Sequence, residues 1–245
     1  MKKLLLLISF SLIGCSSIDG GGVLSSLELE DALSSEQEAQ RILDLGLSHE
    51  ESLVEAGKLE TPHMIAVVTL QLNNARDAKI QSEIDLKEAN EYAEKVIVTE
   101  ENSKFISSEI SEKVKNGILG TDIDQVIYNL EGSKDLNSGL IRHRLELSLV
   151  YNSKNSRNYD SVKFCDKWNN CDDKNQKINV LSITASGCKK NSCDFTEILN
   201  LDLTEDFLYD SIDKGFSMRL MSKKKTIKII LSKPYLMGYL KVAHK

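Results

Sequence analysis

Five cysteines are the residues of this chain best suited to covalent chemistry, and they fall into two groups. Cys165, Cys171, Cys188 and Cys193 lie close together, spaced C-x5-C and C-x4-C. Thiols so near one another either pair as disulfides or hold a metal. A structural zinc site favours C-x2-C pairs, and an even set in an exported chain favours disulfides. Four cysteines allow three connectivities. Local pairing is expected, Cys165 with Cys171 and Cys188 with Cys193, because "KKNS" reads as a hairpin turn with a cysteine at each shoulder. The fifth, Cys15, stands apart. It follows Gly14 directly, behind an apolar run over residues 4–13 and the two charges of Lys2 and Lys3.

A helix over that run would be about 15 Å long, half the roughly 30 Å of a bilayer's hydrocarbon. A charged start, a short apolar middle and a small residue at the end make a secretory signal peptide. Its ending, Leu12-Ile13-Gly14-Cys15, resembles the lipobox of bacterial lipoproteins: Leu12, Gly14 and Cys15 match the pattern and Ile13 departs from it. The resemblance implies cleavage after Gly14 and a diacylglycerol thioether on Cys15. Two or more acyl chains anchor a protein stably without a membrane span. In the sorting pattern of such proteins, Ser16 and Ser17 imply the outer membrane of a diderm host, with the body facing the periplasm.

Other chemistry is sparse. G-x-S-x-G, H-E-x-x-H and the P-loop are missing, and His49, His63, His143 and His244 show no metal-ligand spacing. His143 falls on the apolar side of an expected strand, where a buried structural histidine is the bland reading and a general base the sharp one. The acid pairs Glu50-Glu51, Glu100-Glu101 and Asp172-Asp173 read as solvated surface; glycosidase carboxylates would need a fixed separation across a cleft. Lys223, Lys224 and Lys225 read as a hairpin turn, or as a contact for anionic polymer. Trp168, inside "CDKWNNC", either anchors a ligand or covers a disulfide. No catalytic residue, metal or cofactor is assigned.

The elements that carry these residues change character along the chain. Residues 1–14 are the leader and 15–27 a polar, Gly-rich tether. Residues 28–117 read as helical. Ser34-x-x-Gln37 and Ser48-x-x-Glu51 resemble capping boxes on either side of Gly46, and Thr61-Pro62 starts a long helix. Its stripe, Ile65, Val68, Leu72, Ala75, Leu86, Ala89, Ala93 and Val96, is interrupted at Lys79 and Ser82. The β-branched "VIVT" ends it near Thr99, and a further helix is expected over 103–116. "GTDIDQVIYNLEG" reads as a short helix bracketed by glycines. From about 139 the period changes to two, "LIRHRLELSLVY" being the clearest strand. Residues 118–245 are therefore a mainly antiparallel β domain, with short helices after Thr204 and at Pro234. The fold class is α+β: an N-terminal helical region with a long amphipathic helix, then a disulfide-stapled antiparallel sheet.

A net charge of −6, more negative once Lys2 and Lys3 leave with the leader, argues against nucleic acid as a partner. The expectation is a lipid-anchored envelope protein, a non-enzymatic adaptor or assembly factor, with residues 61–98 as its main partner-binding element. An envelope hydrolase acting on wall glycan or peptide, and a small-ligand-binding lipoprotein, are the alternatives.

Overall fold

The computed structural model describes residues 26–245 except 100, 102, 117–121, 167–169 and 224. Cys15 and Trp168 lie outside the described residues. The chain divides into two compact units, one up to Ala78 and one over Lys79–Lys245. No described helix is long and apolar enough to cross a membrane.

The first unit is helical. α1 (Ser26–Asp44) ends where Gly46 takes φ +64°, a left-handed turn that glycine adopts without a Cβ penalty. α2 (His49–Ala56) opens with the Ser48/Glu51 capping box expected from the sequence. α3 (Pro62–Glu94) opens on Thr61, whose hydroxyl accepts from the Met64 amide at 3.2 Å. Ala39, Ile42, Ala56, Val68 and Leu72 form one small core, with Leu53 and Leu59 packed against it. One expectation is corrected: α1 runs straight through Ser34, so Ser34-x-x-Gln37 is helix interior.

The second unit holds two antiparallel sheets. The larger runs β1 (Ile97–Thr99), β2 (Lys104–Ile106), β4 (Asp122–Lys134), β5 (Ile141–Ser153), β9 (Ser192–Leu203), β8 (Asn179–Lys189), with β3 (Ile110–Asn116) also paired to β4. The smaller runs β11 (Thr226–Leu231), β10 (Phe216–Met221), β6 (Ser161–Cys165), β7 (Gln176–Lys177). The expected helix over 103–116 is thus two strands, and residues 122–132, the described part of "GTDIDQVIYNLEG", lie in β4. In the first case Ile106, Ile110 and Val114 fit a helical stripe, yet the segment's β-branched residues pack equally well on a pleated face. In β4, Asp124, Val126, Tyr128 and Leu130 alternate and are all buried. The long helix also stops at Glu94, short of Thr99, because residues 97–99 pair with 104–106.

The register aligns the inward side chains across strands: Val126 with Leu149, Tyr128 with Leu147, and Leu130 with Leu145. Leu199 and Leu201 extend the second and third rows to β9, opposite Leu147 and Leu145. They share one core with Met218, Leu220, Ile227 and Ile229 of the small sheet and with α4 (Glu205–Ser211) and α5 (Lys233–Ala243). β2 and β3 occupy the same edge of β4 and are separated by a bulge at Ser107. There the buried Tyr235 hydroxyl meets Ser107 Oγ at 2.6 Å and donates to the Ser108 carbonyl at 3.1 Å, so backbone freed by the bulge finds partners. The disulfides are Cys165–Cys171 and Cys188–Cys193.

Candidate functional site

α3 carries apolar side chains that no core absorbs. Within the first unit Val68 and Leu72 are buried; within the second Ala89 is 2% exposed. Every residue from Arg76 to Ile84 is exposed, matching the interruption at Lys79 and Ser82. Ile80, Ile84 and Leu86 then present apolar surface to solvent, Leu86 being 53% exposed.

Leu86 borders a groove of about 320 Å³. Its α3 wall is Leu86, Ala89 and Asn90; Tyr209 and Ile212 come from α4 and its C-cap; Met237, Leu240, Lys241 and His244 come from α5 and its end. The groove exists because α5 lies against α3 at very short range. A Cβ on Gly238 would stand 2.6 Å from the Ala89 carbonyl and 2.6 Å from Tyr92 Cβ, so only glycine permits the approach. Polar pairs at the rim hold the two helices: Lys241 donates to Asn90 at 2.6 Å and Lys233 meets Asp85 at 3.1 Å. The Gln81 amide, and after it the Lys233 ammonium, holds the Asp85 carboxyl below the usual carboxylate range. Apolar walls edged by a few polar groups, Asn90, Lys241 and His244, suit an apolar side chain or a short amphipathic segment better than a polar substrate. Tyr209, Ile212 and Met237 were not legible as site residues: each sits off the buried phase of its own short helix, and only tertiary packing brings them together.

Beneath the end of α5 lies His143, 2% exposed. Its Nδ1 meets the Tyr239 hydroxyl at 2.8 Å, while Nε2 is buried without a hydrogen-bond partner among the described residues. The Tyr239 hydroxyl reaches this position over Gly132, where a Cβ would sit 2.5 Å from it. Burial, and then His244 with its ring 5.9 Å away, lowers the imidazole to about 4. This histidine is a neutral core group. The hydroxyl on its ring is that of Tyr239, and among the described residues no three His, Cys, Asp or Glu side chains are placed to hold a metal.

The opposite face of the large sheet bears a charged groove of about 560 Å³ that includes Lys104, Glu131, Arg142, Arg144 and Asp202. His143 also borders it, although its side chain shares the inward phase of Leu145. The carboxylates there are occupied: Glu131 pairs with Lys104 at 2.7 Å and Asp202 with Arg144 at 3.3 Å. Glu146, beside them, has its carboxyl raised by burial and then by Glu131.

A third polar assembly was also missed. Arg157 is buried with both guanidinium ends on Asp124, one at 3.0 Å, and lies over the Tyr151 ring at 4.0 Å. Glu197, fully buried, accepts from the amides of Arg157, Asn158 and Tyr159 at 2.9–3.1 Å and from the Tyr151 hydroxyl. Asn158 takes φ +54° to present its amide. These bonds shape the loop before β6. They satisfy buried charge and leave no group open to a substrate.

The remaining sequence candidates scatter. Glu50 and Glu51 sit in the first turn of α2, and Asp172 and Asp173 follow the first disulfide on the surface. Lys223 and Lys225 lie in the β10–β11 turn, closed by the Ser222 amide on the Lys225 carbonyl at 2.9 Å; Lys224 and Glu100 are outside the described residues. No protein-family model matches the chain, and no curated protein is significantly similar to it.

Proposed function

We propose that the chain is a lipid-anchored protein of the bacterial envelope, held by Cys15, that works without catalysis as an adaptor or assembly factor. Its body engages another envelope component through the apolar groove beside Leu86. The observation that carries this reading is apolar surface left in solvent on a well-packed domain: Ile80, Ile84 and Leu86 on α3, beside the groove walls from α4 and α5. Surfaces of this kind mark interaction sites. The leader supports the location, since Leu12-Ile13-Gly14-Cys15 resembles a lipobox.

A photo-crosslinking residue at position 86 tests the reading in intact cells. It should yield one adduct of defined mass, while the same residue at exposed Glu83 yields little. Leu86→Glu should abolish the adduct formed from a probe at Ile84 and leave the melting temperature within about 1 °C, as expected of an exposed position. Equal, diffuse labelling at 83 and 86 would reject the groove as a docking site. Cys15→Ser should release the chain from membranes; continued attachment and processing would reject the anchor.

A further inference from the structure

β8 is the outer strand of the large sheet, with β9 on one side and no described strand on the other. Its side chains are exposed along almost its whole length. Proteins usually protect such an edge with charge, proline or brevity. β8 is eleven residues long, and residues 179–187 hold neither a charge nor a proline. Register shifts fall between Val180 and Ser182 and between Ser186 and Lys189. The regular part is therefore Ser182, Ile183, Thr184, Ala185 and Ser186.

The inward phase of the sheet continues into this edge. Ile183 pairs with Glu197 and Ala185 with Phe195, both buried, yet Ile183 is 38% exposed. The core simply does not extend over β8. The strand is also held ready. Asn179 donates to Asn200 at 3.0 Å at one end, and Cys188–Cys193 clamps the other. Little ordering cost remains for a strand that adds here.

We propose that β8 is a self-association edge: a second copy of the chain adds its own β8, antiparallel, about a two-fold axis through Thr184. The sequence is self-complementary in that register. Thr184 faces Thr184 of the second copy, Ile183 faces Ala185, and Ser182 faces Ser186. Apolar meets apolar on the inward side and hydroxyl meets hydroxyl on the outward side, a pairing that stabilises antiparallel strands. With no charge between 179 and 187, the two-fold creates no like-charge contact. Such isologous pairing is the commonest route to a symmetric dimer. A five-residue pair is short, so the association is weak and is best read by covalent trapping.

Thiol trapping in the full chain tests the register. In an antiparallel pair directly opposed Cβ atoms are about 5 Å apart, whereas Ser182 and its own copy would be displaced by about 14 Å along the strands. Under mild oxidation or with the shortest thiol crosslinker, Thr184→Cys should give a product of twice the chain mass, at least tenfold more than Ser182→Cys or Ser186→Cys alone. Co-expressed Ser182→Cys and Ser186→Cys chains should recover the dimer without altering Thr184, so misfolding of one variant does not decide the outcome. Peptide mapping should find Cys165–Cys171 and Cys188–Cys193 intact in each. The proposal falls if neither Thr184→Cys nor the mixed pair traps a dimer, if all three single variants trap equally, or if the adduct has the mass of another protein.

Discussion

Glu197 and Asp124 break the pattern of the strands they occupy. In β9 the inward phase runs Phe195, Glu197, Leu199, Leu201, Leu203, and in β4 it runs Asp124, Val126, Tyr128, Leu130; each holds one acid among apolar residues. Buried carboxylates survive when paired and hydrogen-bonded, and Arg157 with its neighbouring amides supplies both. Arg157→Ala should therefore cost about 3–5 kcal/mol in urea unfolding, because it removes the guanidinium from the buried Asp124 carboxylate. Asp124→Leu combined with Arg157→Met should cost much less, and equal losses would show that pairing is not what matters. An acid on an apolar phase was a readable signal. Its partner was not, since Arg157 sits in a loop with no periodicity to mark it. His143 was readable as a partly buried strand histidine, and its environment fixes a pH dependence. Its folded value of about 4 lies below the ordinary 6.5, so the fold favours the neutral ring. That stability is full above pH 6.5 and is lost as pH falls toward 4, about 3 kcal/mol in all. The charged or titratable groups near it are Tyr239, His244 and, beyond His244, Glu205. His143→Asn keeps a partner for Tyr239 without titrating. Its stability-versus-pH curve should be flatter than that of the parent between pH 4 and 6.5; parallel curves would exclude His143 as the source.

At the scale of elements, local signals were strong wherever one interaction decided the outcome. Thr61-Pro62, Ser48 with Glu51, Gly46 and Thr204 each act within a few residues, through a single cap or a single positive φ, and each sits where the sequence places it. The strands at 97–99, 104–106 and 110–116 were not legible because their identity is set by partners far along the chain. Ile110 pairs with Tyr128 and Lys104 with Ser133, and nothing within the segment itself separates that outcome from a helix. The meeting of α3 and α5 was equally hidden, since a glycine in "YLMGYLK" reads as a weak point in a helix. Its role gives a test with a diagnostic sign. Gly→Ala in an ordinary helix interior stabilises by about 1 kcal/mol. At Gly238 the new Cβ would meet backbone of α3 at 2.6 Å, and overpacking of this kind costs about 1–3 kcal/mol. Gly238→Ala should thus lower the melting temperature and also disturb the groove beside Leu86. A rise in melting temperature would mean that the helices separate easily and that the groove has no fixed shape.

At the scale of the whole molecule, the two units differ in what they bury. The helical unit closes on five small or medium side chains, Ala39, Ile42, Ala56, Val68 and Leu72, with two leucines beside them. The sheet unit buries apolar strand residues of both sheets, five tyrosines and one face of α5, and carries both disulfides. Small cores are marginal, and Leu72 at 1% exposure contributes much of this one. Residues 76–84 of α3, exposed on every side, offer the helical unit no additional core. Unfolding should therefore proceed in two steps, the helical unit first. The sequence provides a clean reporter, because all seven tyrosines, from Tyr92 to Tyr239, belong to the sheet unit. On heating, ellipticity at 222 nm should begin to fall while the near-ultraviolet tyrosine signal holds, and the tyrosine signal should follow at higher temperature. Leu72→Glu places an unpaired carboxylate in the smaller core at a cost of several kcal/mol. It should lower the first transition or abolish it and leave the second in place. Coincident transitions in the parent chain, or a Leu72→Glu variant in which both move together, would mean that the units unfold as one.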